Sequence, residues 1–339
     1  MNFRLDYKAS FNTGHGMLKF YICFIPFVIL ILLINTSAQS RQADTKMIIS
    51  DSYFNQKSPG DTAEIFSPGI ISTNNHEHSR LVQSKNGLEY FWAVVITNEK
   101  DIGEEQKIWY TRRNKDGWLT PKRIPVKFTE TRSPALSPDG RKLYFLSNDP
   151  DSNPNEMPSK SILWEKEMVD SSWDHIRRVE GILPQMERRM VMSFCFASNG
   201  NLYFDAGGPD ETGKWSWRIY FSECKNGIYL EPQLMGDMIN EGRICQYPFI
   251  ASDESYLIFS SDREGTFGSG DLYISYRNTN GKWSIPVNME KSINTSSQER
   301  SPSVSTDGRY LFFTRHNKNT LQDFFWIDAK IINTLKTNK

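Results

Sequence analysis

Arg300-Ser301-Pro302-Ser303-Val304-Ser305-Thr306-Asp307-Gly308-Arg309-Tyr310-Leu311-Phe312-Phe313 joins a polar approach, a tight turn and an apolar run, and its copies decide the fold. A plain twin is Arg132-Ser133-Pro134-Ala135-Leu136-Ser137-Pro138-Asp139-Gly140, followed by Leu143-Tyr144-Phe145. Weaker copies run from Tyr247-Pro248 to Glu254 before Tyr256-Leu257-Ile258-Phe259, and from Ser193 to Gly200 before Leu202-Tyr203-Phe204. The most worn is Ser84-Lys85-Asn86-Gly87 before Glu89-Tyr90-Phe91-Trp92. The turn positions Gly87, Gly140, Gly200, Glu254 and Gly308 lie 53, 60, 54 and 54 residues apart, the spacing of a four-stranded propeller blade with its loops. Asp-Gly and Asn-Gly supply the positive φ of a two-residue hairpin turn, so the flanking strands are expected to pair antiparallel.

Each turn is followed by an aromatic strand: Ile108-Trp109-Tyr110-Thr111, Ile162-Leu163-Trp164-Glu165, Ile219-Tyr220-Phe221-Ser222, Leu272-Tyr273-Ile274-Ser275 and Phe324-Phe325-Trp326-Ile327. These read as third strands packed between blades. An aromatic three residues before a proline, at Trp118/Pro121, Tyr229/Pro232 and Trp283/Pro286, marks the outer strand, with Trp173 a degenerate copy. An edge strand tolerates proline because it needs fewer ladder donors. The last repeat lacks this outer strand, and Ile65-Phe66-Ser67-Pro68 ahead of the first repeat is its orphan copy. Pairing residues 64–72 beside Phe324–Ile327 would close the ring and remove both sheet edges. The fold expected is therefore all-β: a propeller of about five four-stranded blades closed by an N-terminal strand, with six blades as the alternative.

The N-terminus carries a different signal. Phe20 to Ile34 is an uncharged apolar run preceded by Lys19 and followed by Thr36 and Ala38, the small residues of a cleavage site. As a helix it would span only about 22 Å, short of the roughly 30 Å hydrocarbon core. Residues 1–38 thus read as a signal peptide, with an N-terminal anchor as the alternative and Met17 as a candidate start. Residues 39–59 read as a linker, 60–333 as the propeller and 334–339 as a tail. Export to the periplasm or cell surface follows, with membrane contact only through residues 20–34 if they are retained.

The chain has 40 basic and 40 acidic residues, and removing residues 1–38 leaves 37 and 39. No Lys/Arg stripe stands out, so nucleic acid is not an expected partner. Aromatics make up 13% of the 339 residues, which suits a sheet protein with bulky strands. Cys195, Cys224 and Cys245 are an odd set without CxxC spacing and read as buried apolar residues.

The Arg-Ser-Pro-x-x-Ser-x-Asp-Gly pattern, with Ser260-Ser261-Asp262-Arg263-Glu264-Gly265 through Gly270-Asp271-Leu272-Tyr273, resembles the WD-like propeller repeats of the TolB type. The resemblance covers residues 60–332 and is strongest in the second, fourth and fifth repeats. It implies an exported propeller that binds a protein or glycan partner in the cell envelope. The TolB propeller has six blades and a separate N-terminal α/β domain for which this chain has no room.

Chemistry is thinly signalled. Arg263 and Asp271, eight apart, recur as Arg315 and Asp323 and read as structural pairs tying a hairpin loop to the following strand. Two imidazoles in His76-Glu77-His78 project to one side of a strand with Glu77 opposite, and no third ligand is evident, so no metal or other cofactor is expected. His175 and His316 stand alone. No GxSxG, HExxH or phosphate-loop pattern is present. The expectation leans away from an enzyme; the alternatives are a structural accessory subunit of an envelope complex and a glycoside hydrolase or lyase. The last would draw acids in the central channel from Glu77, Glu130, Glu187, Glu241 and Glu299, which recur on the inner approaches.

Overall fold

The computed structural model describes residues 53–97, 104–128, 130–147, 162–168, 175–184, 189–316 and 322–337. The signal segment, Met17, residues 39–52, Trp173 and Glu187 lie outside the described residues. The chain divides into Met1–Ala43 and Asp44–Lys339, and everything described belongs to the second unit.

Five antiparallel sheets follow one another as blades. The first contains His76–Gln83, Glu89–Thr97, Glu104–Asn114 and Lys122–Arg123. The second is Thr131–Leu136, Lys142–Ser147, Ile162–Glu167 and Ile176–Val179. The third is Met190–Phe196, Leu202–Pro209, Trp215–Ser222 and Gln233–Leu234; the fourth is Cys245–Ile250, Tyr256–Ser261, Asp271–Tyr276 and Val287–Asn288. The fifth takes Gln298–Val304, Tyr310–His316 and Gln322–Asp328 from its own repeat and borrows Glu64–Ile65 as its outer strand. Glu64 pairs with Trp326 and Ile65 with Phe325, so the ring closes by strand sharing, as the orphan Ile65-Phe66-Ser67-Pro68 implied. Each first strand touches the next around the ring, and the fifth touches the first. This is a five-bladed propeller. Pro121, Pro232 and Pro286 each immediately precede a two-residue outer strand.

Every inner strand is interrupted by a bulge at the same place, between His78 and Val82, Arg132 and Ala135, Val191 and Phe194, Gln246 and Phe249, and Arg300 and Ser303. Ser79, Ser133, Tyr247 and Ser301 take positive φ there, from 53° to 68°. The Ser-Pro and Tyr-Pro dipeptides of the motif thus mark the bulge, where a proline forfeits no ladder bond.

The hairpin turns differ from the expected two-residue form. Ser137 N donates to Lys142 O (2.9 Å) and Gly140 N to Ser137 O (2.8 Å), enclosing four residues. Only Gly140 has positive φ (73°), because the Asp139 carboxylate holds the rest of the turn: it accepts from Ser137 Oγ (2.5 Å) and Arg141 N (3.0 Å). Ser305-Thr306-Asp307-Gly308 and Ser84-Lys85-Asn86-Gly87 repeat this design. At the fourth turn Glu254 stands in the glycine position at φ 58°, held by Asn201 Nδ2, Tyr203 OH, Asn199 Nδ2 and Arg277 Nη1 from two blades.

Aromatic layers between blades form the core. At the closing seam Phe66 lies 4.8 Å from Phe312 and 5.0 Å from Trp326, and Phe54 stacks on Trp118 at 4.6 Å. Tyr53 and Phe54 belong to this core although the sequence placed them in a linker. Likewise Lys330–Thr337 is a helix, not a tail from 334 onward: it buries Ile332 and Leu335, and Tyr276 OH donates to Ile332 O (2.6 Å). The three described cysteines are free thiols.

Candidate functional site

Arg80 sits on the first inner strand at the place that proline holds in the second, fourth and fifth. Its Nε donates to Pro302 O (3.0 Å), Nη1 to Phe194 O (3.0 Å) and Nη2 to Pro248 O, three carbonyls from three other blades. One buried guanidinium therefore bridges the central channel and ties four blades together. Nothing in the repeat pattern pointed to it, since its partners are backbone atoms that only ring closure brings together.

Above this bridge, one mouth of the channel collects cations and imidazoles. His76 and His78 project to the same side of their strand, rings 6.0 Å apart, and Glu77 faces the other way, as the alternation required. His316, which looked isolated, ends the second strand of the fifth blade with its ring 6.1 Å from His76. Gln322 Oε1 accepts from His76 Nε2 (3.1 Å) and from Arg300 Nε (3.0 Å) and Nη2. Arg300 lies over the Tyr247 ring at 5.9 Å, and that ring meets His78 edge-on at 6.5 Å.

The protonation of His78 follows from these neighbours. Burial within the channel, then the charges of Arg300, His76 and Arg132, push its pKa well below the usual imidazole value. Gln106 Nε2 donates to His78 Nδ1 (2.7 Å), which leaves Nε2–H as the free donor of a neutral ring. Arg132 pairs with the Glu130 carboxylate at 2.9 Å. Among the described residues, no group of three or more His, Cys, Asp and Glu is placed to hold a metal. Two guanidiniums beside the neutral His78 ring suit an anion.

Of the acids expected to line the channel, the four described do not gather there. Glu77 and Glu299 occupy equivalent positions and turn away from it, each held by a threonine four residues earlier: Thr73 N and Oγ1 donate to Glu77 (2.9 and 2.7 Å), Thr295 N and Oγ1 to Glu299 (3.2 and 2.6 Å). Glu130 is engaged by Arg132, and Glu241 is in the crossover before the fourth blade, largely exposed and 3.5 Å from Arg263. A buried acid without any sequence signal, Asp205, accepts from Met192 N (3.2 Å), Ser193 N (2.9 Å) and Tyr247 N (2.7 Å); it staples two neighbouring bulges, and burial pushes its pKa up to about 7.

Nor do the two Arg/Asp couples pair. Arg263 donates to Met238 O (3.1 Å) and Ile239 O (2.8 Å) and lies over Tyr273 at 4.7 Å. Arg315 donates to Ile293 O (2.7 Å) and Glu299 Oε1 (2.8 Å) and lies over Phe325 at 4.2 Å. Both arginines clamp an Ile-Asn crossover to the blade that follows it. Asp271 accepts from its own loop, Phe267 N (2.8 Å) and Gly268 N (3.2 Å), while Asp323 is opposite Arg315 in register without an ion pair to it.

No protein-family model and no curated protein matches the sequence. Among solved structures, the complex of BT0996 with RGII aligns with a TM-score of 0.54 at 12% identity, over 80% of this protein and 91% of that one. TolB from Acinetobacter baumannii aligns with a TM-score of 0.43 at 14% identity, over 76% of this protein and 55% of that one, so the chain spans little more than half of TolB. A thermostable family-43 glycoside hydrolase aligns with a TM-score of 0.46 at 13% identity, over 76% of this protein and 90% of that one. The likeness to BT0996 is one of fold.

Proposed function

We propose that this propeller is a non-catalytic, exported binding protein of the cell envelope that takes an acidic group of a protein or glycan partner at the histidine-lined mouth of its channel. The observation that carries the reading is the convergence of Arg132, Arg300 and His76 on a neutral His78 whose Nε2–H is free to donate. Charge-assisted hydrogen bonds from guanidinium to carboxylate are roughly twice as strong as neutral ones, and a partly desolvated mouth strengthens them further. The Arg80 bridge beneath suits retention at one mouth rather than passage. Export rests on the apolar run at residues 20–34 and the small residues after it.

Propellers also serve as hydrolases, and such chemistry needs two free carboxyls roughly 5–10 Å apart. Of the described acids considered for it, Glu130 is paired, Glu77 and Glu299 face away and Glu241 is in a crossover. The test is a panel of acidic and neutral glycans and acidic peptides, measured for binding and for turnover with the parent and Arg300→Gln. Expected is selective binding of acidic members that Arg300→Gln weakens at least tenfold, without turnover. Binding indifferent to ligand charge, or a glycan cleaved by the parent and spared by Glu130→Gln, would overturn the reading.

A further inference from the structure

We infer that the seam between the fifth and first blades carries a second site, formed by Glu77 and Asp323, for the guanidinium of an arginine side chain on a partner polypeptide. The template is internal. In the fifth blade Glu299 is opposite Arg315, whose guanidinium reaches both Glu299 Oε1 (2.8 Å) and the Ile293 carbonyl (2.7 Å). In the first blade Glu77 takes the same place on the same backbone, with the same threonine clasp, but the residue opposite is Val94. Glu77 is 1% exposed, and its buried Oε2 has no hydrogen-bond partner. The first blade has kept the carboxyl and lost its cation.

A second acid lies near enough to act on it. Asp271 at the preceding seam accepts from Phe267 N, Gly268 N and Asn288 Nδ2 (2.8 Å), whereas Asp323, its equivalent, accepts no hydrogen bond among the described residues. Asp323 forms the wall of a cavity of about 570 Å³ with Ile65, Pro68, Ser72, Thr73 and Asn74, and Thr73 is the residue that clasps Glu77. That volume lies in the range of roughly 300–1,000 Å³ usual for ligand sites. Burial, with Asp323 adding to it, lifts Glu77 to about 8, and burial raises Asp323 as well; among the described residues neither carboxyl is in an ion pair. A guanidinium brings its own fan of donors, which matches two acids short of donors better than a bare metal ion short of ligands.

Isothermal titration of the mature protein with L-argininamide, using the neutral isostere L-citrullinamide and calcium as comparators, tests this. Argininamide should bind saturably, citrullinamide at least tenfold more weakly and calcium no better. Asp323→Asn and Glu77→Gln should each weaken argininamide at least tenfold, while Glu211→Gln on the exposed surface leaves it unchanged. Val94→Arg, which supplies the missing side chain from within, should abolish it with the circular dichroism spectrum retained. Should Glu77→Gln fail to fold, the half-buried Asp323 variant decides. No saturable binding by the parent, equal binding of citrullinamide, tighter binding of calcium, or binding untouched by Asp323→Asn overturns the inference. None of these results depends on the channel mouth, so the two sites stand or fall separately.

Discussion

The first and fifth blades share one backbone plan and differ in the side chains that face their neighbours. Asn294, Arg300, Pro302 and Arg315 of the fifth correspond to Ser72, His78, Arg80 and Val94 of the first. In the fifth blade Asn294 binds both backbone groups of Leu272, and Arg315 neutralises Glu299. The first blade sends its arginine across the channel instead and leaves Glu77 without a cation. Repetition secures each seam of a ring by the same contacts, and departures from it mark where one copy has taken on a task for the whole. Arg80 bridges the ring; the two ligand sites proposed above lie at the mouth and seam around the first blade.

The largest expected effect comes from removing the strand that joins these two blades. Deleting residues 60–75 strips Glu64–Ile65 from the fifth blade and Phe66 from the aromatic seam, exposing an edge and several buried rings. Thermal unfolding should lose its single cooperative transition; a truncation that melts like the parent would contradict strand-shared closure. Arg80→Met comes next. It leaves three buried carbonyls on three blades without their charged donor, a loss of about 3–5 kcal/mol in urea unfolding. A change under about 1 kcal/mol would mean the ring does not depend on its central bridge.

Much of this comparison is legible in the sequence alone. Turn spacing gives the blade number, and the orphan Ile65-Phe66-Ser67-Pro68 gives the closure, because both are carried by local patterns that survive in one segment. What does not show are contacts made only when distant segments meet. Arg80 reaches residues 114, 168 and 222 positions away, and its acceptors are carbonyls that every residue type possesses. His316 joins His76 only across the closing seam. The acids are misplaced for a related reason: recurrence in sequence tells that Glu77 and Glu299 share a position, but strand alternation at the bulge turns that position away from the channel. Asp139 and Asp307 read as suppliers of backbone geometry, whereas their carboxylates cap the turn.

A smaller effect separates Glu77 from Glu299 by pH. Burial lifts Glu77 from the usual 4.5 to about 8 in the folded protein. Below about pH 4.5 both folded and unfolded states hold this proton, and the group contributes nothing to pH dependence. Between 4.5 and 8 the unfolded state releases a proton that the folded one retains, so stability falls as pH rises, by at most about 1.4 kcal/mol per unit. Above 8 the loss levels off. Glu77→Gln should flatten the stability profile between pH 6 and 8 and leave the variant more stable than the parent at pH 8. Asp205, lifted to about 7, has the same sign and keeps some slope in the lower part of the window. Identical profiles for parent and variant would show that Glu77 ionises freely, and its lack of an arginine would then have no energetic consequence.

The smallest change asks whether the fifth blade's crossover needs its asparagine. Asn294 Oδ1 accepts from Leu272 N (2.8 Å), and Nδ2 donates to Leu272 O (2.9 Å) and Asn288 Oδ1 (2.8 Å). Ser72 does the corresponding duty with one hydroxyl, which donates to Phe324 O (3.2 Å) and accepts from Phe324 N (3.1 Å). Asn294→Ser therefore keeps a chemically competent group, loses the bond to Asn288 and lengthens the other two. The expected loss is about 1 kcal/mol, one typical net hydrogen bond. Alanine at the same place would orphan a buried amide and carbonyl and should cost about 1–3 kcal/mol more. If serine and alanine were equally harmful, the hydroxyl would not be substituting for the amide at Ser72 either, and the closing seam would rest on its shared strand and aromatic layer.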